Sequence, residues 1–341
     1  MDSLTHIVVG AAIGDTLLGK KIGRKAAWIG AFAKTFPDFD LFYTGLSDQR
    51  MYVCCHRGHT HSLFWEGLYA FPLAYLFFVL FKKNIPFKSW LILFLTCLWG
   101  HSLLDTCTAY GTRLLLPFTN EAFAWNNLSI VDLSFTLPML IMVVVALFYA
   151  NVGKGRSQWM IGSLIYFLVY IGGSFVNKAF ANSRFNQSLE AHHIPHHSTM
   201  SNPTMLNNLM WYGIAVDDST LNIGELTLLN NQQEIVWHAY KRQTHLLKQF
   251  PDKQDTELLE WFGNDFTITR QKSDTLQVYC VKFGRGNLME SELEKTFVFH
   301  YLLYKDGNKW VMSTKEPKIG KDEFFLALSD LWDRILGKKN G

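Results

Sequence analysis

The sequence is short of charge and of cysteine, and each shortage removes a class of protein. Charged residues make up 18% of the 341 positions, against about a quarter in an average soluble domain, while hydrophobic residues reach 49% and aromatic ones 15%. The net charge is only +3 and its basic residues are dispersed, which argues against a nucleic-acid partner. The five cysteines, Cys54, Cys55, Cys97, Cys107 and Cys280, form no CxxC pair and no even framework, so neither a zinc ribbon nor a disulfide scaffold organises the fold. A basic n-region is missing from Met1 to His6, and Ile7 to Leu18 leads to no small-residue cleavage pattern. That segment is expected to be retained.

What is present is a change of character along the chain. From Met1 to about Ala181 the sequence is a series of apolar runs, and from Asn182 onward it reads as a mixed soluble domain. We therefore expect an α-helical polytopic membrane domain over 1–181, followed by a smaller soluble α+β domain over 182–341. Ile7 to Leu18 and Ala26 to Phe36 fall short of the roughly 20 apolar residues that cross a bilayer, and are expected to be tilted or embedded among neighbours. Four longer spans follow: Leu63 to Phe81, Trp90 to Tyr110, Ile130 to Ala150 with a kink at Pro138, and Trp159 to Phe180.

Chemistry concentrates in short polar insertions between these runs. His56-Arg57-Gly58-His59-Thr60-His61-Ser62 carries three imidazoles just before a span, and a glycine between them lets the backbone fold two toward one point. Phe36-Pro37-Asp38-Phe39-Asp40 makes a turn that displays two carboxylates. In Gly100-His101-Ser102-Leu103-Leu104-Asp105 the spacing of four puts His101 and Asp105 on one helix face. An ionisable pair inside an apolar segment is costly unless neutralised, which makes function its default reading, with a His-Asp hydrogen bond that pins two helices as the alternative. His6, Asp38, Asp40, His56, His61, His101 and Asp105 thus form a nitrogen and oxygen donor set without cysteine, which fits zinc or another hydrolytic divalent ion. Glu66, one turn into the first long span, is a candidate general base, and Arg57 and Arg113 are candidate phosphate ligands. Asp132 stays open between ligand, ligand support and helix start. His192, His193, His196 and His197 read as a solvated turn, with an accessory metal site as the alternative.

The order Met1-Asp2-x-x-Thr5-His6, Pro37-Asp38-x-Asp40, His56-Arg57-Gly58-x-Thr60-His61-Ser62, His101-x-x-x-Asp105 and Tyr110-Gly111-Thr112 resembles a bacterial family of membrane-bound metal-dependent hydrolases. The motifs cover about the first 135 residues, and Asn202 to Tyr212 with Asp217-Asp218 looks like the start of the C-terminal domain of some members. A more distant similarity, to the zinc-dependent phospholipase C and single-strand nuclease superfamily, maps His6, Asp38, His61, His101 and Asp105 onto metal-ligand positions. Two features of those enzymes, a free N-terminal ligand and a second HxxxD/E-like helix, have no clear counterpart in the sequence. The resemblance implies a hydrolase in which one or two divalent ions activate water against an ester, most plausibly a phosphoester of a lipid or envelope molecule. The competing reading is a non-catalytic envelope protein whose metal cluster staples helices and whose C-terminal domain binds a partner.

In the C-terminal part, Glu225 to Leu229, Phe266 to Arg270, Leu276 to Phe283, Thr296 to Tyr304 and Lys309 to Thr314 read as strands, the last two joined at Asp306-Gly307. His238 to Phe250 and Asp322 to Leu336 read as helices, with Phe325, Leu328, Leu331, Trp332 and Ile335 expected to face a sheet. Basic turns at Lys20 to Lys25, Lys82 to Lys88 and Lys154 to Arg156 alternate with the motif-bearing segments. The positive-inside rule makes those turns cytoplasmic, placing the motifs and the C-terminal domain on the outer face of the inner membrane.

Overall fold

The computed structural model describes residues 1–45, 49–149, 154–230, 234–284, 297, 299–314 and 321–338. They form two compact units. One comprises Met1–Tyr43, Cys55–Phe175 and Met205–Asn207, the other Thr44–Cys54, Val176–Thr204 and Asn208–Gly341.

The first unit is helical. Asp2 starts α1 (Ser3–Ile22) by accepting the Thr5 backbone N–H, 3.0 Å, and the Thr5 hydroxyl, 2.6 Å. This satisfies one of the free donors at a helix N-terminus and puts His6 in the first turn. Helix α2 (Lys25–Thr35) returns along α1 at very close range. A Cβ on Gly10 would lie 2.5 Å from the Gly30 carbonyl oxygen, one on Gly14 2.2 Å from that of Ala26, and one on Gly30 2.1 Å from that of Gly10. Small residues four apart thus let the two backbones touch, the arrangement membrane helices use for close pairing.

A 3-10 turn, Phe36–Asp40, opened by Pro37, leads into the short helices α3 (Leu41–Thr44) and α4 (Gln49–Cys55). A second 3-10 turn, His59–His61, precedes α5 (Leu63–Leu80), which packs antiparallel on α6 (Phe87–Asp105). Helix α7 (Leu133–Val144) and the long α8 (Lys154–Ala191) follow.

Three helices, α5, α6 and α8, are long and apolar enough to cross a membrane. The third expected span, Ile130 to Ala150, is shorter than its apolar run: Asp132 caps α7, so the apolar helix covers only Leu133–Phe148 with Pro138 inside it. Ala150 lies outside the described residues. On α5 the exposed residues Phe64, Leu68, Phe71, Tyr75 and Val79 recur at helical spacing. Such a continuous apolar face suits hydrocarbon, not water.

The second unit holds two four-stranded antiparallel sheets. Strands β1 (Ser198–Pro203), β2 (Met210–Val216), β3 (Thr220–Thr227) and β4 (Trp237–Lys241) pair in order, as do β5 (Thr267–Lys272), β6 (Thr275–Cys280), β7 (His300–Asp306) and β8 (Lys309–Thr314). Tyr212, Ile214, Leu221 and Ile223 of the first sheet share a core with Ile268, Tyr279 and Val281 of the second half. Helices α9 (His245–Gln249), α10 (Lys253–Gly263) and α11 (Lys321–Ile335) belong to it, as do nearly all of α4 and the part of α8 from Val176 onward. The expected fold class, a helical membrane domain followed by a smaller α+β domain, is what the structure shows.

Three details differ from expectation. His238–Phe250 is not one helix, because Trp237–Lys241 pairs with β3 and only His245–Gln249 is helical. The strand read from Thr296 begins at His300, and Thr296 lies outside the described residues. Along α11, Leu331 and Ile335 are buried but Phe325, Leu328 and Trp332 are exposed. The covered face instead carries Arg334, whose guanidinium pairs with the buried Glu225 at 2.6 Å.

Candidate metal centre

The glycine contacts of α1 and α2 bring the first turn of α1 beside the turn that ends α2. The N-terminus of α5 and the C-terminus of α6 arrive at the same end of the helical unit. Three segments, the turn Phe36–Asp40, the turn His59–His61 and the end of α6, therefore deliver Asp38, His61, His101 and Asp105, whose donor atoms all lie within 4.8 Å of one another.

The separations are those a small cation sets. His61 Nε2 is 3.1 Å from His101 Nε2, 3.4 Å from Asp38 Oδ1 and 3.4 Å from Asp105 Oδ2. His101 Nε2 is 3.4 Å from Asp38 Oδ1 and 3.6 Å from Asp105 Oδ2. Donors around a tetrahedral ion at about 2.0–2.2 Å are spaced roughly 3.3–3.6 Å apart. The opposite ring nitrogens are already committed. His101 Nδ1 donates to the Lys34 carbonyl at 2.6 Å. Thr60 donates its hydroxyl to Asp40 at 3.0 Å and can accept from His61 Nδ1 at 3.0 Å. Both Nε2 lone pairs then point into the cluster, which is how outer contacts fix the tautomer of a metal-binding histidine.

The electrostatics favour positive charge at this point. Burial disfavours a charged imidazole, yet the Asp105 and Asp38 carboxylates outweigh it and raise His61 above its ordinary value. Burial alone would push the Asp38 carboxyl up, but His101 and His61 hold it well below the usual carboxylate range. Asp105 Oδ2 accepts no hydrogen bond, although Arg57 Nε stands 3.1 Å from it. This donor set, buried and aimed at one point, fits a divalent ion.

The other expected site residues surround the four donors. Asp40 does not join them: its oxygens take His56 Nδ1 at 3.0 Å, the Arg57 N–H at 3.1 Å and the Thr60 hydroxyl at 3.0 Å. Asp40 and His56 thereby hold the histidine loop in place. The left-handed residue of that loop is Arg57, with φ 57°, and not Gly58. Gly58 is needed for proximity, since a Cβ there would meet Arg113 Nη2 at 2.7 Å and the Cys55 carbonyl oxygen at 2.8 Å. Arg57 is buried, donates to Thr108 at 3.0 Å and lies over the Tyr110 ring. It neutralises and orients Asp105.

Glu66 accepts the Ser102 hydroxyl at 2.6 Å on one oxygen, and its second, buried oxygen has no hydrogen bond. His6 stacks on His101 at 3.8 Å and reaches the other Asp105 oxygen at 3.1 Å. The Met1 α-amino group also meets that oxygen, at 2.5 Å. Side-chain motifs could not reveal this contact, because the group is backbone. Asp132 is a helix start, accepting the Phe135 N–H at 3.1 Å and the Tyr170 hydroxyl at 2.8 Å. In the second unit His197, Asp217 and Asp218 gather at the surface, and His197 is hydrogen-bonded to Asp265 at 2.7 Å.

Comparison with known proteins agrees with the membrane reading. The YdjM inner membrane protein family matches residues 1–181, which contain the whole cluster, α5, α6 and the greater part of α8. No curated protein and no solved structure matches the chain. With more than half its length matched, and with a helical unit whose apolar faces suit a bilayer, the chain belongs to the YdjM inner membrane protein family.

Proposed function

We propose that this protein is a membrane-bound metal-dependent hydrolase acting on an ester, most plausibly a phosphoester of a lipid or envelope molecule. The observation that carries the reading is the convergence of Asp38, His61, His101 and Asp105 at ligand spacing in an otherwise apolar helical unit. A divalent ion, zinc foremost, supplies a Lewis acid there that lowers the pKa of bound water toward about 7 and stabilises developing oxyanion charge.

The chain's own groups do the rest. Asp38 is 12% exposed while the other three donors are fully buried, so access is from its side. Glu66 keeps one oxygen on Ser102 and the other without a hydrogen bond, a place to receive a proton from water. Arg57 holds Asp105 in line. Exposed aromatic residues border the ligand segments: Phe39 packs on Phe42, and Phe64 on Phe118, each pair at 5.6 Å. They suit the acyl part of a lipid substrate. The order of the ligands is similar to that of the zinc-dependent phospholipases, which supports a phosphoester.

Four protein donors also favour a second reading, in which the ion closes a structural site and staples three segments together, since structural zinc sites are four-coordinate and closed. One experiment separates the two. The purified full-length protein is analysed for metal and then offered a panel of lipid phosphoesters with and without chelator. The hydrolase reading expects bound metal and turnover that stops on chelation and returns with added zinc. Activity that survives chelation, or a covalent adduct with a serine-directed probe, overturns it. Bound metal with no turnover, and unfolding on chelation, supports the staple.

The reading also places the site on the outer face. The ligands occupy one end of the helical unit, and Lys21 Nζ donates to Ser89 at 3.2 Å, which joins two basic turns at the other end. Lysine-rich turns face the cytoplasm. A fluorophore that matures only in the cytoplasm is expected to light when fused after Lys83 and to stay dark when fused after the C-terminal residue. The reverse pattern overturns the topology.

A further inference from the structure

Lys34, at the end of α2, is a lysine with no exposure to solvent. Its backbone carbonyl is engaged, accepting His101 Nδ1–H at 2.6 Å. Its ammonium is not: among the described residues it makes no hydrogen bond and no ion pair. A buried charge without a partner is costly, and inside an apolar helical unit such a group is retained for a task.

The surroundings give the task a direction. The base of the side chain fills space left by Gly10, whose Cβ would stand 2.7 Å from that of Lys34. The tip lies beside Gly100, the residue before His101, with Nζ 3.1 Å from where a Gly100 Cβ would sit. A side chain at position 100 would crowd the ammonium, which would have to shift by a few tenths of an ångström. Burial disfavours the charge on the ammonium, and Cys97, Asp105 and Glu66 act on it in the opposite sense; the free oxygen of Glu66 is likewise buried. An ammonium beside Gly100 and a carboxylate held by Ser102, with one oxygen free, thus flank His101 on both sides in sequence.

We propose that Lys34 is the anion-binding residue of this centre, its ammonium taking a non-bridging oxygen of the phosphoryl group that lies against the metal donors. The proposal rests on the phosphoester reading above. A lysine suits the role as a compact point charge with three rotatable donors, which can meet one oxygen without the planar match that an arginine requires.

The test uses inorganic phosphate on the full-length, zinc-loaded protein in detergent, with metal content and thermal midpoint measured alongside. Lys34→Met is expected to keep its zinc, to bind phosphate at least ~10-fold more weakly than the parent, and to unfold at the same or a higher temperature without phosphate, because an unpartnered buried charge has gone. Equal phosphate binding by parent and Lys34→Met overturns the assignment and leaves the hydrolase reading standing. Lys34→Gln, which retains a polar end, guards against misfolding. If both variants lose zinc or melt well below the parent, Lys34 is a structural cation and the assignment is overturned. If the zinc-loaded parent binds no phosphate, the phosphoester reading fails and the assignment falls with it.

Discussion

His101→Ala is expected to reduce bound metal from about one equivalent to under about a tenth, and to remove the ion-linked part of stability. His101 supplies one of four donors and touches the other three through Nε2 at 3.1 to 3.6 Å. Its removal also leaves the Lys34 carbonyl without the 2.6 Å hydrogen bond. An ion present at a thousandfold excess over its dissociation constant stabilises the folded state by about 4 kcal/mol, and that contribution disappears with it. Asp40→Asn is the informative contrast. Asp40 touches the loop that carries His61 but no donor set of its own, so affinity should fall by roughly 10- to 100-fold and be restored by saturating zinc. Metal analysis after dialysis reads both, and full metal content in His101→Ala overturns the ligand assignment.

The difference between these two substitutions marks what the sequence could and could not tell. That Asp38, Asp40, His56, His61, His101 and Asp105 are chemistry-bearing residues was legible, because the first four sit in polar insertions between apolar runs and the last two are ionisable residues inside one. Which carboxylate and which imidazole face the centre was not. Asp38 and Asp40 are two apart on a 3-10 turn, Phe36–Asp40, where about three residues complete a turn, so they point in different directions and only one can enter. His101 and Asp105 are four apart on an α-helix, which fixes both to one face, and that pair was read as it stands.

Fold legibility followed the same physics. Spans α5 and α6 were found from length and apolarity, because nothing in them competes with the helix. The third expected span differs at its start, where Asp132 caps the helix two residues inside the apolar run. Among the strands, β1 reads Ser198-Thr-Met-Ser-Asn-Pro203, with neither alternation nor β-branched enrichment, so it exists only through pairing with β2. The segment Trp237–Lys241 has a composition that tolerates helix, and its pairing with β3 decides the matter. Local preference loses where a sheet edge offers hydrogen bonds.

The glycines of α1 and α2 carry the last large effect. Gly10-Ala-Ala-Ile-Gly14 is a small-residue spacing visible in the sequence, but its partner, Gly30, can be named only once the helices are seen to touch. Gly30→Val places its first side-chain carbon 2.1 Å from the Gly10 carbonyl oxygen and 2.7 Å from the Gly14 Cα. Both obstacles are backbone, so no rotamer relieves the clash and the helices must separate. Overpacking in a close-packed interior costs about 1–3 kcal/mol even where side chains can shift, and a backbone collision belongs at or beyond the upper end. Because α1 carries His6, α2 leads to Asp38 and the Lys34 carbonyl orients His101, separation should also spoil the metal site. We expect Gly30→Val to lower the thermal midpoint sharply in detergent and to lose most of its zinc. Gly172→Ala in α8, where an added Cβ meets nothing within 4 Å, should be neutral or stabilising by up to about 1 kcal/mol. A normal melting point and full zinc content in Gly30→Val would show that the helix contact does not build the site, and the path from glycine spacing to metal ligands would have to be abandoned.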